Sequence, residues 1–254
     1  MGGVMIPRPL FMPGSDGEEK QEVRIRMESS EVKDGQGWKP GDVLVGETVK
    51  DGDFLESKEA DDYFFETEIT DPVFERIKGR SFKEDCTVPR ETLRYLRVLH
   101  WGPKGTTVGE LVCDKSVSQA LLAVFKELYE EKYPIEKVRL IDEYDADDEA
   151  SMADNNSSCF NFRKVPGKDK LSLHSLGLAV DINPFYNPYV RTNKEGVLCC
   201  SPEGSRPYMD RGRKFPYKIE EGDPCVRIFA RHGFLWGGDW TSSKDYQHFS
   251  TTGG

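Results

Sequence analysis

Leu171–Pro184, LSLHSLGLAVDINP, places His174 and Asp181 seven residues apart in an otherwise apolar run that contains Gly177. The alternation Leu178-Ala179-Val180-Asp181-Ile182 is that of a strand, with Leu178, Val180 and Ile182 toward a core and Ala179 and Asp181 on the opposite side. Ala179 is small, which leaves room for a ligand beside Asp181. Gly177 lets the backbone pass close to a neighbour or to a bound ion. His174 precedes the strand, on a loop that has to fold back if both side chains are to meet. The run is answered by Trp236–Ser250, WGGDWTSSKDYQHFS, where Asp245 precedes His248 by three residues. Residues three apart on a straight strand face opposite ways, so the loop before Asp245 must present it. Two histidines and an aspartate with a further carboxylate nearby are the donor set of a catalytic zinc site, which has three protein ligands, an open position for water and a base.

The chain around these motifs mixes helices and strands without strict alternation. Asp71–Ile77 opens like a helix, with Asp71 as cap and Pro72 at the first helical position. Leu93–Trp101, Gly109–Val112, Val138–Ile141, Phe234–Trp236 and Tyr246–Ser250 suit strands. Asp114–Lys132 carries apolar residues at three- and four-residue spacing and is the clearest helix, and Pro224–His232 is a second, stopped by Gly233. The expected class is α+β, a small, mainly antiparallel sheet flanked by helices. Residues 1–60 are rich in turn signals and hold 13 acidic and 8 basic residues. They read as an N-terminal extension or linker, partly disordered, with short strands at Glu22–Met27 and Asp42–Val45. Residues 61–254 form the single catalytic domain. The Asn187–Glu221 insertion between the two motifs has no assignable pattern.

Composition narrows the function. With 37% hydrophobic and 31% charged residues, and no apolar run near the roughly 18 residues of a spanning helix, no transmembrane segment is expected. The net charge of −10 and the lack of a basic stripe argue against nucleic acid as a partner. The six cysteines, Cys86, Cys113, Cys159, Cys199, Cys200 and Cys225, show no CxxC spacing, which disfavours a cysteine metal site. They are either buried thiols or up to three disulfides. His100 and His232 read as structural or exposed, and Asp142–Glu149 as an acidic turn capping a short helix rather than a calcium loop. Trp236, Trp240, Tyr186 and Tyr189 line a groove or fill the core.

Ser172-x-His174-x-x-Gly177-x-Ala179-x-Asp181, followed by Asp245-x-x-His248-Phe249, resembles the signature of the zinc D-Ala-D-Ala carboxypeptidase family. That family includes VanY-like carboxypeptidases and the L-alanyl-D-glutamate endopeptidases of phage endolysins and bacterial wall hydrolases. The resemblance covers roughly Phe74–Ser250. It implies zinc (Zn2+) held by His174, Asp181 and His248, with Asp245 as the general base. Arg163, in NSSCFNFR, resembles a substrate-anchoring arginine that grips a carboxylate or the developing oxyanion, a structural ion pair being the alternative. Ser172 bonds substrate or the loop backbone. The implied substrates are peptidoglycan stem peptides, and a monomer is expected. Asp245 and WGGDW resemble the L-Ala-D-Glu endopeptidase branch, since the vancomycin-resistance carboxypeptidases usually carry Glu at that position. D-alanyl-D-alanine carboxypeptidase action is the alternative, and a non-catalytic zinc-containing wall-binding module a second. A cysteine hydrolase using Cys159 or Cys225 is disfavoured, because neither sits in a nucleophile setting. The N-terminus lacks the basic start and apolar core of a signal peptide. Because the implied substrate lies outside the membrane, an extracellular, wall-associated location is expected, its signal or anchor missing from the sequence in hand.

Overall fold

Residues 44–51, 60–165 and 167–253 are described by the computed structural model. The strand expected at Glu22–Met27, and most of the 1–60 extension, lie outside the described residues. Leu44 and Val45, the described end of the second expected strand, are irregular and turn. Strand β1 (Thr48–Asp51), within the stretch read as extension, pairs antiparallel with a strand of the domain. That strand, β4 (Gly105–Asp114), forms a hairpin with β3 (Leu93–Gly102), in register from Leu93 opposite Asp114 to Gly102 opposite Gly105. With β2 (Phe65–Glu68) the order is β1-β4-β3-β2.

Helix α1 (Asp71–Ile77) begins one residue earlier than its Asp-Pro signal suggests: Thr70 occupies the cap position, and Asp71 instead pairs with Arg90 at 2.7 Å. Helix α2 (Ser118–Glu130) starts four residues later than expected. The Asp114 carboxylate accepts the Ser116 backbone N–H at 2.8 Å and folds the intervening residues into a turn. Leu121, Val124, Phe125 and Leu128 of α2 are buried with Leu96 and Val98 of β3 in the largest core cluster. The parallel pair β5 (Lys137–Val138) and β6 (Asn156–Ser157), with helix α3 (Asp148–Ala153) between them, leads toward the first motif. β5 is shorter than the expected strand, because Ile141 already begins a 3-10 turn.

Strand β7 (Ala179–Asp181) joins β12 (His248–Ser250) and β10 (Leu235–Trp236) in a second antiparallel sheet, ordered β10-β12-β7. Val180 and Phe249, on the inward face, are fully buried, and Phe249 stacks on Phe229 of helix α4 (Pro224–Arg231) at 4.0 Å between ring centres. A third antiparallel sheet, β11-β8-β9, consists of β8 (Tyr189–Thr192), β9 (Leu198–Ser201) and β11 (Lys244–Asp245). The insertion that carries no clear pattern in sequence thus contributes two strands and a 3-10 segment, Glu203–Tyr208. The class is α+β as expected, with the antiparallel strands distributed over three sheets rather than one. The expected Tyr246–Ser250 strand is shortened: β12 begins at His248, and Tyr246-Gln247 turns the chain over from β11, which ends at Asp245.

All six cysteines are free thiols, and Cys113, Cys159 and Cys225 are buried. Among the described residues no helix is long and apolar enough to cross a membrane.

Candidate active site

Strand register places the first two site residues. His248 and Asp181 stand directly opposite each other across the β12–β7 ladder, so their side chains emerge side by side on the face away from Val180 and Phe249. The Asp181 strand is pinned on its other edge by Ser158, whose backbone accepts the Asp181 N–H at 2.9 Å. His174 arrives from a 3-10 turn, Leu173–Leu176, that Gly177 closes in the left-handed conformation at φ +68°. A side chain at Gly177 would meet the backbone nitrogen of Asp114 at 2.4 Å, so the close approach is to a neighbouring strand. That backbone nitrogen donates to Gly177 O at 3.0 Å.

The three side chains converge. His174 Nε2 lies 3.2 Å from His248 Nδ1 and 3.3 Å from Asp181 Oδ2, and His248 Nδ1 lies 3.1 Å from Asp181 Oδ1. Zinc bonds of about 2.0–2.1 Å imply a tetrahedral edge of about 3.3 Å, so these spacings suit one small cation. The tautomer suits it too. His174 Nδ1 is 2.7 Å from the Cys159 carbonyl, which can only accept, so Nδ1 carries hydrogen and Nε2 offers its lone pair. Burial disfavours charge on His174, yet the Asp181 carboxylate outweighs it and raises its pKa. Burial likewise opposes ionisation of Asp181, but the two histidines hold its pKa well below the carboxylate range. The donors are a compact His-Asp-His set that could hold a metal.

Asp245 reaches the same region from β11, paired with Tyr189 of β8. Gly237, in a 3-10 turn after β10, makes this possible: a side chain there would meet Asp245 O at 2.6 Å, Asp245 Cβ at 2.9 Å and His248 Cβ at 3.2 Å. Burial pushes the Asp245 pKa up to about 7, with Asp181 acting the same way, while His248, Gln247 and Arg163 pull it down. A carboxylate poised near neutrality is suited to general base work. Among the described residues, Oδ1 of Asp245 has no hydrogen-bond partner. The indole of Trp240 lies 5.2 Å from the His248 ring and walls one side.

Arg163 forms an ion pair through Nε with Asp148 of α3. Its two terminal nitrogens have no partner among the described residues. Its charge acts on both His174 and Asp245, so the guanidinium lies near the site. Of the two sequence alternatives, the ion pair is the one present in the structure. Ser172 is different. It is buried, and its Oγ accepts the His174 backbone N–H at 3.3 Å, so it serves the loop backbone rather than facing a ligand.

The remaining histidines are structural. His100 is buried, with Nδ1 2.8 Å from Ile135 O, and His232 Nε2 meets Glu127 at 2.7 Å. In the acidic stretch, Asp147 caps α3 as expected, while Asp142 accepts from Ser81 at 2.9 Å. Sequence reasoning missed the roles of Gly237, of Asp148 as the partner of Arg163, and of the insertion that backs Asp245. The paired glycines after Trp236 were the one local signal for Gly237.

A His-Asp-His cluster with a further carboxylate beside it on an α+β frame is an arrangement suited to a metal-dependent hydrolase. Residues 166–251 match the family model described as D-alanyl-D-alanine carboxypeptidase, a family of metal-dependent peptidases. The resemblance carried by the two motifs is borne out over that segment, roughly a third of the chain. His174, Asp181, Asp245 and His248 fall inside it; Arg163 and everything before it fall outside, so the match is shorter than the Phe74–Ser250 span expected. No curated protein and no solved structure matches the chain.

Proposed function

We propose that this protein is a zinc-dependent peptidase that hydrolyses peptidoglycan stem peptides, cutting at L-Ala-D-Glu, in the wall outside the membrane. The observation that carries the reading is the convergence of His174, Asp181 and His248 at 3.1–3.3 Å, with Asp245 brought alongside by Gly237. Zinc bound by those three residues supplies Lewis acidity for the scissile carbonyl and makes a water acidic enough to attack near neutral pH.

The other roles belong to the chain. Asp245 takes a proton from the attacking water and hands it to the departing amine nitrogen, so one carboxylate serves as base and then acid. The free terminal nitrogens of Arg163 bind a substrate carboxylate, which stem peptides present at D-Glu and at their C-terminus. Cys159 O fixes the His174 ring. The aspartate at position 245, in place of the glutamate usual in vancomycin-resistance carboxypeptidases, favours the endopeptidase bond. D-Ala-D-Ala carboxypeptidase action is the second reading, favoured by the description of the matching family.

Digestion of purified muropeptides, with products identified by mass, decides between them. Cleavage of a disaccharide-peptide into disaccharide-L-Ala and a free peptide beginning at D-Glu is expected; release of terminal D-Ala alone overturns the endopeptidase assignment. Asp245→Ala is expected to retain zinc and lose roughly 10²–10⁴ in kcat, whereas His174→Ala loses both metal and activity. An active Asp245→Ala protein would sink the mechanism.

A further inference from the structure

The proposed base is held by very little of its own. Its strand, β11, is two residues long; among the described residues Asp245 Oδ1 has no hydrogen-bond partner, and the side chain's own bond is to nearby Gln247. The strand depends on β8 along one edge, with Lys244 opposite Val190 and Asp245 opposite Tyr189, and on the Lys244 ammonium, which donates to Gly238 O at 2.9 Å. The following residue, Tyr246, donates its backbone N–H to Pro188 O at 3.4 Å. Each such bond contributes only about 1 kcal/mol net. What fixes β8 and Tyr246 therefore fixes Asp245.

Arg211, from the insertion, joins the segment just before β8 to Tyr246, the residue after β11. Its Nη1 donates to Tyr186 O at 2.9 Å and Tyr208 O at 3.3 Å. Its Nη2 donates to Asn187 Oδ1 at 3.0 Å and Ile219 O at 2.7 Å. The guanidinium lies 4.3 Å from the Tyr246 ring centre and 5.0 Å from that of Phe215. Asn187 extends the network: its Oδ1 also accepts the Ile219 N–H at 2.8 Å, and its Nδ2 donates to Asn183 O at 3.0 Å, two residues beyond Asp181. The acceptors of Arg211 are neutral oxygens, and burial brings its pKa down to about 10. A half-buried cation bonded to carbonyls costs free energy that an apolar side chain of similar volume would not. Both terminal nitrogens are occupied, in contrast to Arg163, so Arg211 is not a ligand-binding fork. Lysine, with one nitrogen, cannot bridge four acceptors and stack on a ring at once.

We propose that Arg211 is a positioning residue, which clamps the 187–221 insertion to Tyr246 and thereby holds the Asp245 carboxylate at the reacting atoms. This rests on the reading of Asp245 as the base. The test compares full-length wild type, Arg211→Met, Arg211→Lys, Tyr246→Leu and Asp245→Ala on one stem-peptide substrate, with zinc affinity and amide hydrogen exchange measured on each. Arg211→Met is expected to lower kcat about 10- to 100-fold, with KM and zinc affinity within a few-fold of wild type. Arg211→Lys recovers little of the loss, and Tyr246→Leu reproduces much of it. In the Asp245→Ala background, Arg211→Met should cost almost nothing more, because the group it positions is gone. An unchanged kcat, an equal loss with or without Asp245, or a fall in zinc affinity parallel to the fall in kcat overturns the proposal. If wild type cleaves no stem peptide, the functional reading fails by itself. The clamp is then judged by exchange: faster exchange at Tyr189 and Tyr246 with His248 unchanged supports it, and equal exchange in wild type and Arg211→Met rejects it.

Discussion

At Gly237 a single missing methyl group decides whether two functional side chains can coexist. Alanine there would place Cβ 2.6 Å from Asp245 O and 3.2 Å from His248 Cβ, and the nearest atom is backbone, which yields little. Gly237→Ala is therefore expected to destabilise the fold by about 1–3 kcal/mol and to reduce kcat far more than the unfolded fraction at assay temperature explains. Thermal unfolding and kinetics on the same sample check this; a fully active Gly237→Ala protein would show that the contact is relieved elsewhere. Residues of this kind divide by how far their reasons reach along the chain. His174, Asp181, Asp245 and His248 were legible because paired short motifs carry them, each with donor atoms that have few structural uses in apolar surroundings. Arg163 was half legible: its nearness to the motif showed, its partner Asp148 did not. Arg211 had no local signal at all, because its acceptors come from Tyr186 to Ile219 and its stacking partner from Tyr246.

Helix α3 shows how a short element can act on a site it does not enter. Asp147 caps it, accepting from Glu149 and Ala150 N–H groups, and Asp148 then holds Arg163 and accepts from Asn161 Nδ2 at 3.1 Å. Asp148→Ala leaves the cap intact but removes the tether. The expected result is a KM several-fold higher with kcat nearly unchanged, the pattern of lost uniform binding. Equal falls in kcat and kcat/KM would instead place Arg163 at the transition state. Helix α4 offers a control: Asp223 caps it through the Cys225 N–H at 2.8 Å, so Asp223→Ala should cost about 1 kcal/mol of stability and leave KM alone. Elements were legible where periodicity was long, as in α2 and the β3–β4 hairpin. Boundaries moved where a side chain competed for the backbone, as Asp114 does before α2. The 187–221 insertion was opaque because its strands are four residues each and its order comes from an aromatic cluster and one arginine rather than from alternation.

For the whole molecule, pH and metal act through different residues. Buried His100 has its pKa lowered to about 4, chiefly by burial and further by Arg139, against a bond to Ile135 O that raises it. Between that value and the ordinary 6.5 the unfolded chain binds a proton that the folded one refuses. The stability this group supports is thus complete above about pH 6.5 and is lost as pH falls toward 4, a loss of about 3 kcal/mol. Urea unfolding of metal-free wild type and His100→Gln at pH 6.5 and pH 4.5 should show a shallower pH dependence in the variant; parallel curves would exclude His100 as the source. Chelation is expected to lower the Tm and added zinc to restore it, by the mass action of a ligand bound only to the folded state, with no zinc-dependent shift in His174→Ala. The proposed base, finally, stands on β11, and two of the proposed cation donors, Asp181 and His248, stand on β7 and β12 of a different sheet, with Tyr246-Gln247 the direct link from Asp245 to His248. On the proposed reading, ion occupancy and catalytic competence rest on different sheets. A sample could then carry its full complement of ion and be inert, so metal content would be no proxy for the active fraction. On the same reading, loosening one small sheet would end cutting and leave the ion donors in place.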